Sequence, residues 1–324
     1  ISWTVTDTVC LNDPQSIPGT DEYTIVVDCK VCSLTTKSVK EGRKPYIVVG
    51  VVGQKGEDRP VRGRCLVFDV NEVVPQVNRP ETNRKLRLMT SVDVKTTIAC
   101  IQELRGAVLV SQGTRIILHA FENDDSLQGC AFVDSLLYSS QASSLGGLFA
   151  LGDAQRGVSL YGYQEEPPRM AQLARSMDYN LLSRQSITSI QLVPHADDDV
   201  LIVSADQNGN LMAHQYAPRN PRSLGGSKLL LAAGCRLSTV IVCMHRLGDL
   251  LILQGMDGSI SALRFFASAD PDAFTVSQYQ QRAMAMFPQP GRVQWAHKLL
   301  IPSYNNLDEP ITSRPIVPLM SSIQ

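Results

Sequence analysis

Few side chains in this sequence stand at spacings suited to catalysis or metal binding. His195 lies close to three consecutive aspartates at 197–199, and Cys29 and Cys32 have the two-residue gap of a zinc-ligand pair. Consecutive aspartates alternate in direction along an extended chain, so a solvated loop between strands is the better interpretation of the first group. No second Cys/His pair follows the two cysteines at zinc-finger distance, and a strand would point their thiols to opposite faces. We therefore predict no catalytic residue and no metal site.

Glycines and histidines give no stronger indication of a functional site. Gly50, Gly53 and Gly56 fall three residues apart, but they lack the Lys-Ser/Thr pair and the helix that a phosphate-binding loop requires. His119 and His214 lie in predicted strands, where we expect structural roles with satisfied ring nitrogens. The sequence therefore predicts no cofactor and no small-molecule substrate.

Four basic residues lie close together in a polar stretch that contains two prolines. They are Arg79, Arg84, Lys85 and Arg87. Because loops of this kind often carry functional contacts, we identify these residues as candidates for contact with RNA or an acidic partner. The alternative is an ordinary charged, soluble face. Only eight Phe and nine Tyr are spread over the chain, which offers no aromatic platform for stacking single-stranded RNA.

Composition narrows the function classes further. The 324 residues include 30 basic and 31 acidic side chains, giving a net charge of −1, and 44% are apolar. A large core is expected, and a general polyanion-binding surface is not. No apolar run reaches the ~18 residues of a membrane helix, and we expect no signal peptide. The first residue is Ile rather than Met, so we expect part of a longer protein. Most of the eight cysteines lie in strand-like runs, which predicts reduced thiols in the nucleus or cytosol.

The first secondary-structure element that the pattern predicts is a hairpin at 46–70. Two apolar runs rich in β-branched residues flank a charged turn that contains glycine and proline. Such runs are typical of strands covered on both faces. The same strand–turn–strand pattern recurs at 106–122, 147–164, 199–217 and 249–267.

The five hairpins share their turn chemistry and a regular spacing. Their turns contain Asp, Gly, Asn or Gln, which favour tight reversals. Equivalent strand positions (49, 109, 150, 203 and 253) are separated by 60, 41, 53 and 50 residues. One or two further strand-like runs precede each hairpin, and four strands in about 40–50 residues form a β-propeller blade. We predict an all-β fold. The expected architecture is a seven-bladed β-propeller, complete or incomplete within this chain, and the alternative is an irregular solenoid or sandwich.

The pattern changes after the fifth hairpin. Residues 273–287 have a polar start and spaced apolar residues before a proline, which predicts a short α-helical segment. Prolines at 302, 310, 315 and 318 predict extended, poorly ordered chain beyond it. We therefore predict a propeller at 1–270 and a C-terminal helix and tail at 271–324.

Several segments resemble one protein family. RGRCLVFDVNEVVP at 62–75 and the GYQEE segment ending at Glu166 resemble the largest subunit of the cleavage and polyadenylation specificity factor (CPSF), as do GCAFVDSLLY, VSADQNGNLMAHQYAP and SLGGSKLL. The resemblance covers about residues 40–290 in unbroken order. The wider family includes the large subunit of the UV-damaged-DNA-binding complex and the large splicing factor 3b subunit. Those paralogues share the RGR strand and the D-x-x-x-N-L turn (206–211), whereas EVVP points to the polyadenylation branch.

The resemblance implies both an architecture and a function. The family has three β-propellers and a C-terminal helical domain, and this chain resembles the last propeller and the helix after it. The tail from Gly291 departs from the family pattern, so we expect a truncated or divergent C-terminal region. The implied function is a non-enzymatic scaffold subunit of nuclear pre-mRNA 3′-end processing. Its implied partners are a WD-repeat subunit and a zinc-finger subunit, with pre-mRNA bound indirectly and no membrane contact.

Two other functions stay open at this point. An adaptor propeller of a DNA-damage ubiquitin ligase, or a splicing-factor paralogue, would use the same fold. A propeller hydrolase would need acidic residues at the starts of innermost strands, pointing into the channel. The sequence instead places Asp153, Asp206 and Asp257 in hairpin turns. We therefore predict a scaffold rather than an enzyme.

Overall fold

The structure is a computed structural model of the chain. It describes residues 5–11, 13, 17, 23–37, 40, 42–53, 56, 61–122, 126–134, 137–176, 186–194, 200–248, 250–265 and 316–319. The chain divides into two compact units. One comprises residues 1–140 and 163–171, and the other comprises residues 141–162 and 172–324.

Five four-stranded sheets make up the described part of the chain, each with its strands hydrogen-bonded in chain order. Blade 1 contains β1 (Thr24–Thr35), β2 (Arg43–Gly53), β3 (Arg62–Glu72) and β4 (Arg84–Val94). Blade 2 contains β5 (Ile98–Leu104), β6 (Ala107–Gln112), β7 (Arg115–Glu122) and β8 (Ser126–Asp134). Blade 3 contains β9 (Ser139–Leu145), β10 (Leu148–Asp153), β11 (Gly157–Gln164) and β12 (Arg169–Arg175). Blade 4 contains β13 (Ile187–Pro194), β14 (Val200–Asp206), β15 (Asn210–Gln215) and β16 (Leu230–Arg236). Blade 5 contains β17 (Ile241–Leu247), β18 (Leu250–Gly255), β19 (Ile260–Phe265) and β20 (Ile316–Leu319).

The five predicted hairpins are confirmed as the middle strand pairs of five different sheets. They correspond to β2–β3, β6–β7, β10–β11, β14–β15 and β18–β19. Strands such as β10 and β14 are buried along almost their whole length. This burial on both faces explains why their sequences are continuous apolar runs rather than alternating ones. The fold class is therefore an all-β propeller, as predicted.

The expected number of blades was wrong. The described residues form five blades rather than seven. Seven blades would require a short, uniform repeat, but blade 1 alone extends from Thr24 to Val94, with strands of 11 or 12 residues. Because its strands and connections use more chain than the hairpin spacing suggests, fewer blades fit into the same length.

The unit that contains blades 1 and 2 has apolar clusters on both faces of blade 1. One face packs against residues of blade 2, and Tyr46 contacts Phe121 with ring centroids 5.3 Å apart. The cluster on the other face includes Leu66 and Phe68 and is covered in part by Ile17 from the N-terminal segment. Both faces of the β2–β3 hairpin are therefore core.

The second unit has its own clusters. Residues of β10 and β11 pack with β13 and β14, and Phe149 stacks on Tyr161 with centroids 5.1 Å apart. A further cluster joins the middle strands of blades 4 and 5. The repeated element in both units is a buried central hairpin flanked by less buried outer strands.

The predicted helix at 273–287 lies outside the described residues. Within the proline-containing tail, Ile316–Leu319 forms the short strand β20, which pairs with β19. None of the helices among the described residues has the length and apolar character needed to cross a membrane.

Candidate interaction surface

The four predicted basic residues are exposed, but they do not share one loop. Arg79 lies in the connection between β3 and β4, whereas Arg84, Lys85 and Arg87 lie on β4 itself. The prediction of a single proline-bearing loop was therefore wrong for three of the four. The reason is local: two leucines alternate with these charges and pack against the core, a period of two that defines a strand.

Strand pairing distributes the three β4 residues over two faces of blade 1. Arg87 pairs across from Asp69, and Arg84 pairs across from Glu72. Lys85 shares the face of Arg87, because side chains two positions apart in a strand point the same way. Oppositely charged cross-strand neighbours are mutually favourable. The structure thus brings Lys85 and Arg87 together and separates Arg84 from them.

Asp69 forms an ion pair that was not predicted from the sequence. Its side chain is buried, and its Oδ2 lies 2.6 Å from Nζ of Lys44 on β2. The same ammonium group lies 5.6 Å from the centroid of the Tyr46 ring, a cation–π distance. Among the described residues, Oδ1 of Asp69 has no hydrogen-bond partner. The register of the β2–β3 hairpin could have indicated this ion pair, because it places Lys44 and Asp69 near each other at the end away from the turn.

The connection between β3 and β4, residues 73–83, is an ordered loop with an apolar tip, and we call it the valine loop. Val74 is 91% exposed and Val77 is 89% exposed. The amide of Val73 donates to the carbonyl of Asn83 at 2.9 Å and closes the base of the loop. The loop therefore holds two apolar side chains in solvent while its own ends stay paired.

Hydrogen bonds inside the valine loop define its shape. Oγ1 of Thr82 accepts from the amide of Gln76 at 2.9 Å and donates to the carbonyl of Arg79 at 2.8 Å. The amide of Arg79 donates back to the carbonyl of Gln76 at 3.0 Å. Asn78, at the reversal, has a φ of 68°, a left-handed conformation that Asn adopts more readily than most residues. Because these bonds are local, the loop keeps its shape without burying its valines.

A carboxylate occupies the outer edge of β4 beside the basic residues. The amide of Leu86, between Lys85 and Arg87, donates to Oδ2 of Asp7 at 2.8 Å. The same N-terminal segment packs Val9 against the apolar face of blade 1. Edge strands present unpaired amides, and here the chain's own acidic side chain satisfies one of them. This edge of blade 1 therefore accepts a carboxylate.

Cys29 and Cys32 point to opposite faces of β1, as predicted. Cys29 pairs with Val49 and is exposed, whereas Cys32 pairs with Tyr46 and is buried. Burial raises the pKa of the Cys32 thiol to about 12. Burial also raises the pKa of the Cys29 thiol, and the nearby negative charge of Asp28 raises it further. Both thiols are therefore stabilised in the protonated form, which does not bind metal.

His119 and His214 are buried in β7 and β15, but the expectation that their ring nitrogens are satisfied was wrong. Within the described part of the chain, Nδ1 of each ring has no hydrogen-bond partner. Nε2 of His119 lies 3.4 Å from the side-chain nitrogen of Gln112. Burial lowers the pKa of His119, and it lowers the pKa of His214 to about 4. The strand positions place both rings among buried residues, so both are neutral structural side chains.

The three turn aspartates have structural partners within their own turns. Asp206 is buried, and its Oδ1 accepts from the amides of Asn208 and Asn210 at 2.8 and 2.9 Å. Oδ1 of Asp153 accepts hydrogen bonds from two amides of its turn in the same way. Oδ1 of Asp257 accepts hydrogen bonds from the amide and the hydroxyl of Ser259. These are Asx-type turns, in which the carboxylate holds the reversal. Asp257 lies in its hairpin turn as predicted, whereas Asp153 and Asp206 are the last residues of β10 and β14, directly before their turns.

The remaining predicted positions contribute no chemistry. Gly50 is a packing position, since a Cβ there would lie 2.9 Å from Cγ2 of Ile98. His195 and the aspartates at 197–199 lie outside the described residues. In the part of the chain that the structure describes, no three His, Cys, Asp or Glu side chains form a metal-binding group.

Together these features define a class of protein, an all-β propeller module with an exposed valine loop beside basic residues of blade 1. The chain belongs to the family described as the CPSF A subunit region, whose family model matches residues 19–278. The resemblance stated from the sequence is thereby confirmed.

Curated relatives agree with this assignment. The chain is 32% identical over 244 residues to protein cft1 of Schizosaccharomyces pombe, which covers 75% of this chain and 16% of that protein. It is 37% identical over 216 residues to protein cft1 of Aspergillus niger, covering 65% and 15% of the two chains. It is 29% identical over 220 residues to protein CFT1 of Saccharomyces cerevisiae, covering 68% and 16%. The chain thus matches only a small part of the length of these relatives.

Proposed function

We propose that this chain is a non-enzymatic scaffold propeller of the nuclear machinery that cleaves and polyadenylates pre-mRNA 3′ ends. The observation that carries the proposal is membership of the CPSF A subunit region family over residues 19–278. Relatives named protein cft1 align with most of the chain and support the same branch.

The physical character of the described residues suits a scaffold. Strands β10 and β14 are buried on both faces, and the valine loop is held by its own hydrogen bonds. A preformed surface loses little conformational entropy when a partner binds. Rigidity of this kind favours a role in positioning other proteins.

The chemistry of the turn aspartates supports a non-enzymatic role. A hydrolase needs a carboxylate that is free to act on substrate or water. In Asp153 and Asp206 the carboxylate oxygens accept hydrogen bonds from their own turns instead. These residues therefore serve the fold, and a propeller hydrolase has no support from them.

We propose a WD-repeat subunit and a zinc-finger subunit as the partners, with pre-mRNA contacted mainly through them. In this proposal residues 1–270 form most of the propeller, and the divergent C-terminal region at 271–324 contributes Ile316–Leu319 as the last strand of blade 5. The eight cysteines are free thiols, which suits the reducing environment of the nucleus.

Affinity purification of the tagged full-length gene product from nuclear extract tests the proposal. We expect cleavage and polyadenylation subunits, including a WD-repeat and a zinc-finger protein, to co-purify in near-stoichiometric amounts. A Leu66→Asp variant is the control, since loss of the folded blade should remove the same partners. Recovery of ubiquitin-ligase or splicing subunits in their place would refute the proposal and support a paralogue function.

A further inference from the structure

We propose that the valine loop and the adjoining part of β4 form a docking site for an acidic peptide segment with aliphatic side chains, supplied by a partner protein. The inference rests on the proposed scaffold function, because it specifies the chemistry of one partner. Its test measures binding to the isolated chain, so it does not depend on which complex the chain joins.

The apolar part of the site is a short run of exposed valines. Four lie within residues 70–77, namely Val70, Val73, Val74 and Val77, with exposures of 38, 37, 91 and 89%. Single exposed apolar residues are common on protein surfaces, whereas larger apolar patches with a polar rim mark interaction sites. The two most exposed valines, Val74 and Val77, lie within the same short loop. Burying the two most exposed valines against aliphatic side chains would provide the hydrophobic contribution to binding.

The rim of the site is basic. Between positions 70 and 88 the sequence has four basic residues and two acidic ones, although the whole chain carries a net charge of −1. Among the described residues, the ion pairs of blade 1 are Lys44–Asp69 and Arg64–Asp93, and neither includes Arg79 of the loop or Lys85 and Arg87, which share one face of β4. These cations favour acidic groups of a partner and accelerate their encounter.

The chain itself shows that a carboxylate binds at this edge. Oδ2 of Asp7 accepts the amide of Leu86 at 2.8 Å, at the position between Lys85 and Arg87. This contact combines an edge amide with flanking cations, which is the recognition that an acidic side chain requires. Asp7 already satisfies this amide, so a partner carboxylate at the site would pair with the side chains of Lys85 and Arg87 that flank it.

The composition of the site favours a peptide over RNA. Residues 73–83 include no aromatic side chain, whereas single-stranded bases are usually recognised by stacking on aromatic rings. Valines instead pack well against aliphatic side chains. The internal hydrogen bonds of the loop also reduce the ordering cost of binding a short segment.

A random twelve-residue peptide library displayed on phage, selected on the full chain, provides the test. We expect the selected peptides to combine Asp or Glu with Leu, Ile or Val. Their affinity, measured with synthetic fluorescent copies, should fall at least ten-fold on the double variant Val74→Ser/Val77→Ser. It should fall by a similar factor on the double variant Arg79→Glu/Lys85→Glu. As the salt concentration is raised, the peptides that bind more weakly should dissociate first.

Matched controls separate the site from general surface effects. Val31→Ser changes another exposed valine of blade 1, and Arg156→Glu reverses an exposed charge in blade 3; both should leave affinity within two-fold. Selection of no acidic peptide, or peptide affinity unchanged by the site variants, would overturn the proposal. If the same variants instead abolished binding of a twelve-nucleotide RNA while peptides failed to bind, the site would be an RNA contact. A negative result in this peptide-binding experiment would not affect the co-purification test of the proposed function.

Discussion

Lys44 and Asp69 face each other across β2 and β3, with Nζ and Oδ2 2.6 Å apart, at the end of blade 1 away from the hairpin turn. The carboxylate is buried and the lysine is about one-third exposed, so the pair is only partly screened by water. Arg87 lies on the neighbouring strand directly opposite Asp69. The pair therefore links the folded core of blade 1 to the basic surface beside the valine loop.

Replacing Lys44 with Met should destabilise the protein by about 1–3 kcal/mol, because it leaves a buried carboxylate without its cation. This range is lower than for a fully buried pair, since Lys44 keeps contact with solvent. The midpoint of urea denaturation measures the effect. Glu165→Gln removes the exposed pair with Arg105 and should change stability by less than about 1 kcal/mol. Equal losses in the two variants would contradict the role given to Lys44.

Leu66→Asp should prevent stable folding of blade 1. Leu66 is fully buried with Phe68 in the apolar cluster of that blade, and an unpaired carboxylate there costs several kcal/mol against a typical stability of about 5–15 kcal/mol. Circular dichroism and size-exclusion chromatography should show loss of folded monomer. Val70→Asp, on the same strand but exposed, is the matched control and should stay folded. A soluble Leu66→Asp protein with unchanged melting would show that the strand is not core.

His214 should make the protein less stable as the pH falls from about 6.5 toward 4. Burial lowers its pKa to about 4 from the ordinary 6.5, so in this window the unfolded chain binds a proton that the folded chain excludes. The free energy of unfolding therefore decreases with falling pH, by on the order of 3 kcal/mol in total. Urea denaturation across this window should give a steeper fall for the wild type than for His214→Gln. His245→Gln, at an exposed position, should keep the wild-type slope; parallel curves for wild type and His214→Gln would exclude this account.

Cys29 and Cys32 should not hold zinc in purified protein. Their thiols lie on opposite faces of β1, and burial favours the protonated form of both. Elemental analysis after mild dialysis should give far less than one zinc per chain. Near-stoichiometric zinc that disappears in Cys29→Ser would show that the pair binds metal after all.

The isolated chain should bind RNA weakly and without preference for the polyadenylation hexamer. Net charge close to zero limits phosphate contacts to one basic surface, so the dependence of affinity on salt should be shallow. Changing Arg79, Arg84, Lys85 and Arg87 together to Ala should weaken hexamer and scrambled RNA equally in fluorescence anisotropy. Discrimination between the two RNAs by an order of magnitude would instead indicate direct reading of the sequence.

The central hairpins could be predicted from the sequence, because their strands and turns are encoded by neighbouring residues. The apolar runs of β14 and β15, and the Asp206 turn between them, are signals a few residues long. Edge strands such as β9, with the sequence SSQASSL, contain no comparable apolar run. The number of blades therefore could not be counted from the hairpin spacing alone.

Tertiary structure alone decided which distant residues meet and which apolar residues stay in water. Asp7 reaches the amide of Leu86 across 79 positions, and Lys44 reaches Asp69 across 25. Nothing local in the chain specifies such contacts, because they depend on how strands pair and which segment covers an edge. In the same way, Val74 and Val77 have the residue type of a core but lie in a loop that satisfies its own hydrogen bonds. Burial is a property of the packed neighbours, so the exposed valines beside the basic strand became visible only in the fold.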